Sequence, residues 1–162
     1  TEILSAVFGE AIFNKMEICL NNGFYPGLHM MLQFRIYNSG IAFRYVLNQK
    51  EMVFKNFSDE TEFELRTDHL KWDYHRDTLF REINSMQPGD SLLLPAMFRS
   101  NTGKTVHVLS MGLQKVNGSN FLVPYDLSKG EFRFRNSFHG NNDNTSGIIT
   151  PWRIIVIKSN DG

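Results

Sequence analysis

The stretch from Leu32 to Leu47, LQFRIYNSGIAFRYVL, limits the fold more than any other part of the chain. Leu32, Phe34 and Ile36 share one face of its first run, and Gln33, Arg35 and Tyr37 share the other. After Asn38-Ser39-Gly40, Ile41, Phe43, Tyr45 and Leu47 oppose Ala42, Arg44 and Val46. Strand side chains alternate between faces, so this pattern around a short glycine-bearing turn predicts a β-hairpin with one face buried. Gly40 is expected to supply the positive φ of a three-residue loop beside a bulge. Arg35 and Arg44 fall on the wetter face. Two roles fit them there, recognition of an anion or sugar and cross-strand pairing with carboxylates, and surface statistics favour the pairing.

The rest of the chain reads as short strands between turns. Residues 1 to 12 are expected to form an irregular lead-in. Lys15 to Leu20 alternates, with Met16, Ile18 and Leu20 inward and Glu17 and Cys19 outward. Thr61 to Leu65 is a further strand, with Phe63 and Leu65 on one side. Asp59, Glu60, Glu62 and Glu64 read as its solvated side and turn rather than as a metal site, because spacing alone does not make ligands converge. Residues 66 to 87 are the least strand-like, with a helical turn expected over Thr78 to Ile83. Gln87-Pro88-Gly89-Asp90 is a turn, and Pro95 interrupts a strand from Ser91 to Phe98, which argues for an edge or a bulge. Asn101-Thr102-Gly103-Lys104 closes a second hairpin into Thr105 to Leu113. Phe121 to Val123, Glu131 to Arg135 and Ile148 to Lys158 complete the strands, and His139 to Ser146 is a polar loop. Turns at this spacing with little helix predict an all-β fold, an antiparallel β-sandwich, in one domain over residues 1–162.

Bulk properties exclude several classes of function. Seventeen basic residues balance seventeen acidic ones, so no long-range field draws the chain to nucleic acid or anionic lipid. Cys19 is the only cysteine, so no internal disulfide forms. It reads as a half-buried strand filler rather than a nucleophile. No run of eighteen apolar residues predicts a membrane span, and a sequence opening on Thr-Glu says little about a leader. No phosphate loop, zinc spacing or nucleophile elbow is present. His29, His69, His75, His107 and His139 are scattered, with His107 reading as a structural residue of its strand. No acid–base pair follows from spacing, so no catalytic residue is assigned.

Three segments taken together, FRIYNSGIAFRY, LLLPAMFRSNTGKTVHVLSMGL and TPWRIIVI, resemble the N-terminal domain of glycoside hydrolase family 97. The resemblance covers most of residues 10 to 158. It implies part of a large sandwich related to the sugar-mutarotase fold, which in the family packs on a (β/α)₈ barrel carrying the catalytic carboxylates. Members act on α-glucosides or α-galactosides. The implied role is that of an accessory domain supporting a sugar-binding or catalytic module, without catalysis of its own. Carbohydrate or a catalytic barrel is then the expected partner, and a bacterial periplasm or secretion the expected location. The family domain lends a glutamate to a calcium site, and the aligned strand places Ser110 there, a neutral and weak ligand, so calcium is not expected here. Ser39 stands where the family hairpin usually carries an acidic residue. The catalytic barrel is absent from these residues. An open sheet edge or uncovered face makes a homo-oligomer a further expectation. Two alternatives stay open, a mutarotase-like epimerase using histidine and glutamate, and a free-standing carbohydrate-binding module. For the second, Trp72, Tyr74 and Trp152 are the candidate platform, with Arg153 beside the last. Burial of Trp152 with Arg153 as its neighbour is favoured over sugar contact.

Overall fold

The computed structural model describes residues 2–10, 12–21, 29–48, 57–59, 61–65, 72–76, 79–87, 89–111, 121–126, 131–138 and 148–159. It opens with a short helix, α1 (Glu2–Phe8), and continues with β1 (Asn14–Asn21), β2 (His29–Tyr37), β3 (Gly40–Asn48), β4 (Phe57–Asp59) and β5 (Glu62–Glu64). Then come β6 (Trp72–Arg76), β7 (Leu79–Glu82), a 3-10 turn (Ile83–Ser85), β8 (Leu92–Leu93) and β9 (Ala96–Ser100). The last strands are β10 (Thr105–Met111), β11 (Phe121–Asp126), β12 (Glu131–Phe138), β13 (Ile148–Ile149) and β14 (Trp152–Lys158). The strands pair antiparallel in two sheets, as expected of an all-β sandwich. The chain divides into two compact units, the first built from residues 1–57, 110–116 and 139–156, the second from 58–109, 117–138 and 157–162.

The first unit is the sheet β1-β2-β3-β14, with β13 also on β3. The central hairpin has the expected pairing, with Leu32 opposite Tyr45, Phe34 opposite Phe43 and Ile36 opposite Ile41. Its turn is tighter than expected. Tyr37 pairs directly with Gly40, which leaves a two-residue loop, Asn38-Ser39. Gly40 is thus a strand residue, and proximity explains it better than turn geometry. A Cβ there would lie 2.1 Å from the Ile155 carbonyl oxygen and 3.0 Å from both the Phe8 ring and the Val156 Cα. The apolar face does not have the burial expected of it. All eight residues of β1 are exposed, including Met16, Ile18, Leu20 and Cys19, and Leu32, Phe34, Phe43 and Tyr45 are only half-buried. Alternation gave the right faces, but it says nothing of what lies over them.

The lead-in is not irregular. Residues 2–8 form α1, and Gly9 at φ 67° ends it in the left-handed conformation that suits a residue without a Cβ. Buried Phe8 stacks on Tyr37 with ring centroids 3.9 Å apart. Glu10 then accepts hydrogen bonds from the Asn38 and Ser39 amides at 3.1 and 3.2 Å and from the Ser39 hydroxyl at 2.9 Å. Those donors, the Asn38 amide above all, hold its carboxyl below the usual range.

The second unit contains the run β10-β9-β6-β7 and a second sheet, β4-β12-β11-β8 with β5 on β12. Phe98 and Phe132 are fully buried with centroids 5.0 Å apart, and Phe63 stacks on Phe132 at 5.7 Å. β9 belongs to one sheet and β5 and β12 to the other, so these three rings form the layer between sheets. Leu65 is buried, as expected. The segment read as least strand-like holds the β6–β7 hairpin, with Tyr74 opposite Arg81 and His75 opposite Phe80. Among the described residues of this segment only 83–85 are helical, and Thr78 of the expected turn lies outside them; the aromatic and β-forming residues of 72–76 suit a pleated surface better than a helix. Leu94-Pro95 is a cis peptide, and the two halves of the interrupted strand, β8 and β9, enter different sheets. The turn at Gln87 closes as expected, with the Asp90 amide bonding the Gln87 carbonyl at 3.0 Å. Glu60, Pro88 and the 139–146 loop lie outside the described residues.

Replacing Gly40 by alanine or valine forces β14 away from the turn, so both variants should lose about 1–3 kcal/mol, as overpacked sites do. Urea midpoints measure it. An alanine variant as stable as the parent would show that the strands do not approach this closely.

Candidate functional site

The polar face of the first sheet gathers interacting polar and aromatic side chains from three strands. Lys15 and Glu17 on β1 stand opposite Arg35 and Gln33 on β2, and Gln33 stands opposite Arg44 on β3. A local irregularity brings in Trp152. Ile149 pairs with Val46, yet Arg153 pairs with Phe43, so Thr150 and Pro151 together face the single residue Tyr45. This is a β-bulge, and it suits a proline, which has no N–H to give to the ladder. Buried Thr150 secures it, donating its amide to the Tyr45 carbonyl and accepting the Tyr45 amide on its hydroxyl, both at 2.9 Å. The extra residue reverses the alternation and turns Trp152 toward Arg44. The sequence reading took Ile148 to Lys158 as one strand and missed this. The proline inside an apolar run was the available signal.

Trp152 is half-buried between two guanidinium groups, with the Arg44 Cζ 4.5 Å and the Arg35 Cζ 4.9 Å from its ring centroid. Arg35 also lies over Phe13 at 4.8 Å, so its guanidinium sits against two aromatic rings. Its Nη1 and the Tyr37 hydroxyl are buried without a hydrogen-bond partner among the described residues. Cation–π attraction supplies part of what hydration would have given the guanidinium. Arg44 Nε donates to Gln33 Oε1 at 2.7 Å, and Gln33 Nε2 donates to Glu17 Oε1 at 2.8 Å. Glu17 also pairs with Lys15 at 2.9 Å, and that contact first, then Gln33 and the positive charges, hold its carboxyl below the usual range. Burial, then the neighbouring charge of Arg35, pushes Arg44 down, while Glu17 acts the other way. Among the described residues, an amide and aromatic rings stand against these arginines in place of the expected paired carboxylates.

The other candidates fall elsewhere. Arg153 is fully buried and donates to the Ser110 hydroxyl. Tyr74 is buried in the second unit. Trp72 stands on β6 opposite Ser100, in that same unit. His107 is half-buried on β10, where burial and then Lys158 push its pKa down. Among the described residues no three His, Cys, Asp or Glu side chains converge as metal ligands.

A family model described as Glycosyl-hydrolase 97 N-terminal matches residues 9–162. The chain belongs to this family. Solved structures of a Glycoside Hydrolase Family 97 enzyme from Pseudoalteromonas sp. strain K8 share the fold. They include its complex with acarbose, its complex with panose and a point variant, each at a TM-score of 0.60 and 16% sequence identity. Each likeness covers 89% of this chain and 23% of the solved one. No curated protein matches. Ser110, which the resemblance puts in the place of a calcium-binding glutamate, has its hydroxyl facing the guanidinium of fully buried Arg153.

If the stack is energetically real, Arg44→Met and Trp152→Leu should couple. A double-mutant cycle read by urea unfolding is expected to give about 0.5–1 kcal/mol, the range of partly exposed cation–π pairs. Strict additivity would mean that the groups are merely adjacent.

Proposed function

We propose that this domain serves as the accessory, non-catalytic part of a family 97 glycoside hydrolase, supporting a catalytic module that acts on α-glucosides or α-galactosides. The periplasm or the cell exterior is the matching location. The observation that carries this reading is the family match over residues 9–162, to a model of the N-terminal domain. The site chemistry agrees with it. A general acid at neutral pH needs a raised carboxyl pKa, and Glu10 and Glu17 are both shifted down by the donors around them. Glu62 is engaged by Arg133 across β5 and β12. The platform of a free-standing carbohydrate module has less support, because Tyr74 is buried and arginines already occupy Trp152. No helix among the described residues is long and apolar enough to cross a membrane.

Incubating the chain with aryl α-glucosides and α-galactosides, with polarimetry of glucose anomers alongside, is expected to show no turnover above buffer. Activity that one point substitution abolishes would sink the accessory reading.

Calorimetric titration with calcium is expected to show nothing tighter than roughly millimolar, the weak end for modular sites. A stoichiometric micromolar site would overturn the assignment of Ser110.

A further inference from the structure

We propose that the polar face of the first sheet holds a small inorganic anion of halide size between the Arg35 guanidinium and the Tyr37 hydroxyl. Arg35 and Tyr37 leave β2 on the same face, two residues apart. Both pack on Phe13, whose ring centroid lies 4.8 Å from the Arg35 Cζ and 5.4 Å from the Tyr37 ring. Tyr37 is only 5% exposed, yet its hydroxyl and the buried Arg35 Nη1 have no hydrogen-bond partner among the described residues. Buried polar groups left unsatisfied are costly, and they mark a water or ion that completes them. Arg35 also lacks an opposite charge. The Glu17 carboxylate is taken by Lys15 and Gln33, and among the described residues neither Arg35 nor Arg44 forms a salt bridge. After burial, the charge of Arg35 is what pushes Arg44 down, so the two cations stand near enough to disfavour each other.

The chemistry around these two groups selects the occupant. The rings of Phe13 and Trp152 hold the guanidinium by its π contacts. Its N–H groups point outward in the guanidinium plane, and they donate but never accept. The occupant must therefore accept, from Nη1 and from the phenol O–H. A water would accept both bonds and leave the charge of two guanidinium groups unanswered. An anion accepts the same bonds, makes them stronger and supplies the missing charge. Burial sets its size. Nη1 and the hydroxyl are already enclosed, so neither a sugar nor a side chain of another domain reaches them. That leaves a diffusible ion small enough to sit inside the packed face, and it makes the site independent of any catalytic module.

Thermal unfolding of the full chain tests this, with chloride replacing gluconate at a constant ionic strength of about 0.3 M so that general screening stays fixed. Tm is expected to rise with the logarithm of chloride, by about 3–6 °C at about ten times the dissociation constant. Tyr37→Phe keeps the ring and removes only the hydroxyl. It should weaken chloride binding about tenfold and cancel most of that rise. In gluconate the same variant should match or exceed the parent's Tm, because an unpaired buried hydroxyl is gone. If Tyr37→Phe fails to fold, Arg35→Gln decides, with the same loss of the chloride response expected. A parent indifferent to chloride would leave water as the occupant and overturn the proposal. So would a chloride response undiminished in the variant that folds, which places the anion elsewhere. A Tyr37→Phe chain less stable than the parent in gluconate would show the hydroxyl already partnered, and that too would overturn it.

Discussion

The first unit depends on a point where there is no side chain. At Gly40 the backbone of β14 comes so near that even a methyl group would meet the Ile155 carbonyl oxygen. β3 therefore takes β2 on one flank and β14 on the other from its first residue. The same corner receives the N-terminal segment, with Phe8 stacked on Tyr37 and Glu10 holding the two turn amides. A carboxylate accepting backbone N–H groups substitutes for the water those amides would otherwise need. Helix, turn and sheet are thus tied together at one end of the hairpin. Its other end, toward His29 and Asn48, has no comparable clamp among the described residues.

The two faces of this sheet solve different problems. One carries charge and disperses it along a chain of contacts, from Lys15 through Glu17 and Gln33 to Arg44, Trp152 and Arg35. Within that chain Lys15 and then Gln33 hold the Glu17 carboxyl below its usual range, which suits a scaffold and not a general acid. The other face carries almost no polarity, and Met16, Ile18, Leu20 and Ile36 on it are exposed. A side chain lattice of this kind is cheap to hydrate on one side only.

Much of the architecture could be read from residue order. Period-two alternation located β1, β2, β3 and β5 and the β2–β3 and β9–β10 hairpins, though not the β6–β7 hairpin, because local side-chain direction follows from the backbone alone. The family was legible separately, in the resemblance of three segments that lie on those and later strands. What escaped depends on contacts distant in sequence. The exposure of Met16 and Ile18 depends on what packs over the sheet, the role of Gly40 reflects Ile155, and the neighbours of Arg35 and Arg44 come from residue 152. α1 is seven residues long and owes its place to the Phe8–Tyr37 stack, a tertiary contact that propensity does not foresee.

The bulge at Thr150 and Pro151 changes how this chain must be compared with its relatives. Before it, β13 and β3 keep one parity of facing residues; after it, β14 keeps the other. Any superposition of sequences that slides through this point without a one-residue gap exchanges core positions for surface ones along the rest of the strand. At 16% identity, matching letters are too sparse to reveal the slip. Residue equivalences past Thr150 are sound only where a relative carries the same extra residue, and a surface tryptophan would otherwise be matched to a buried arginine.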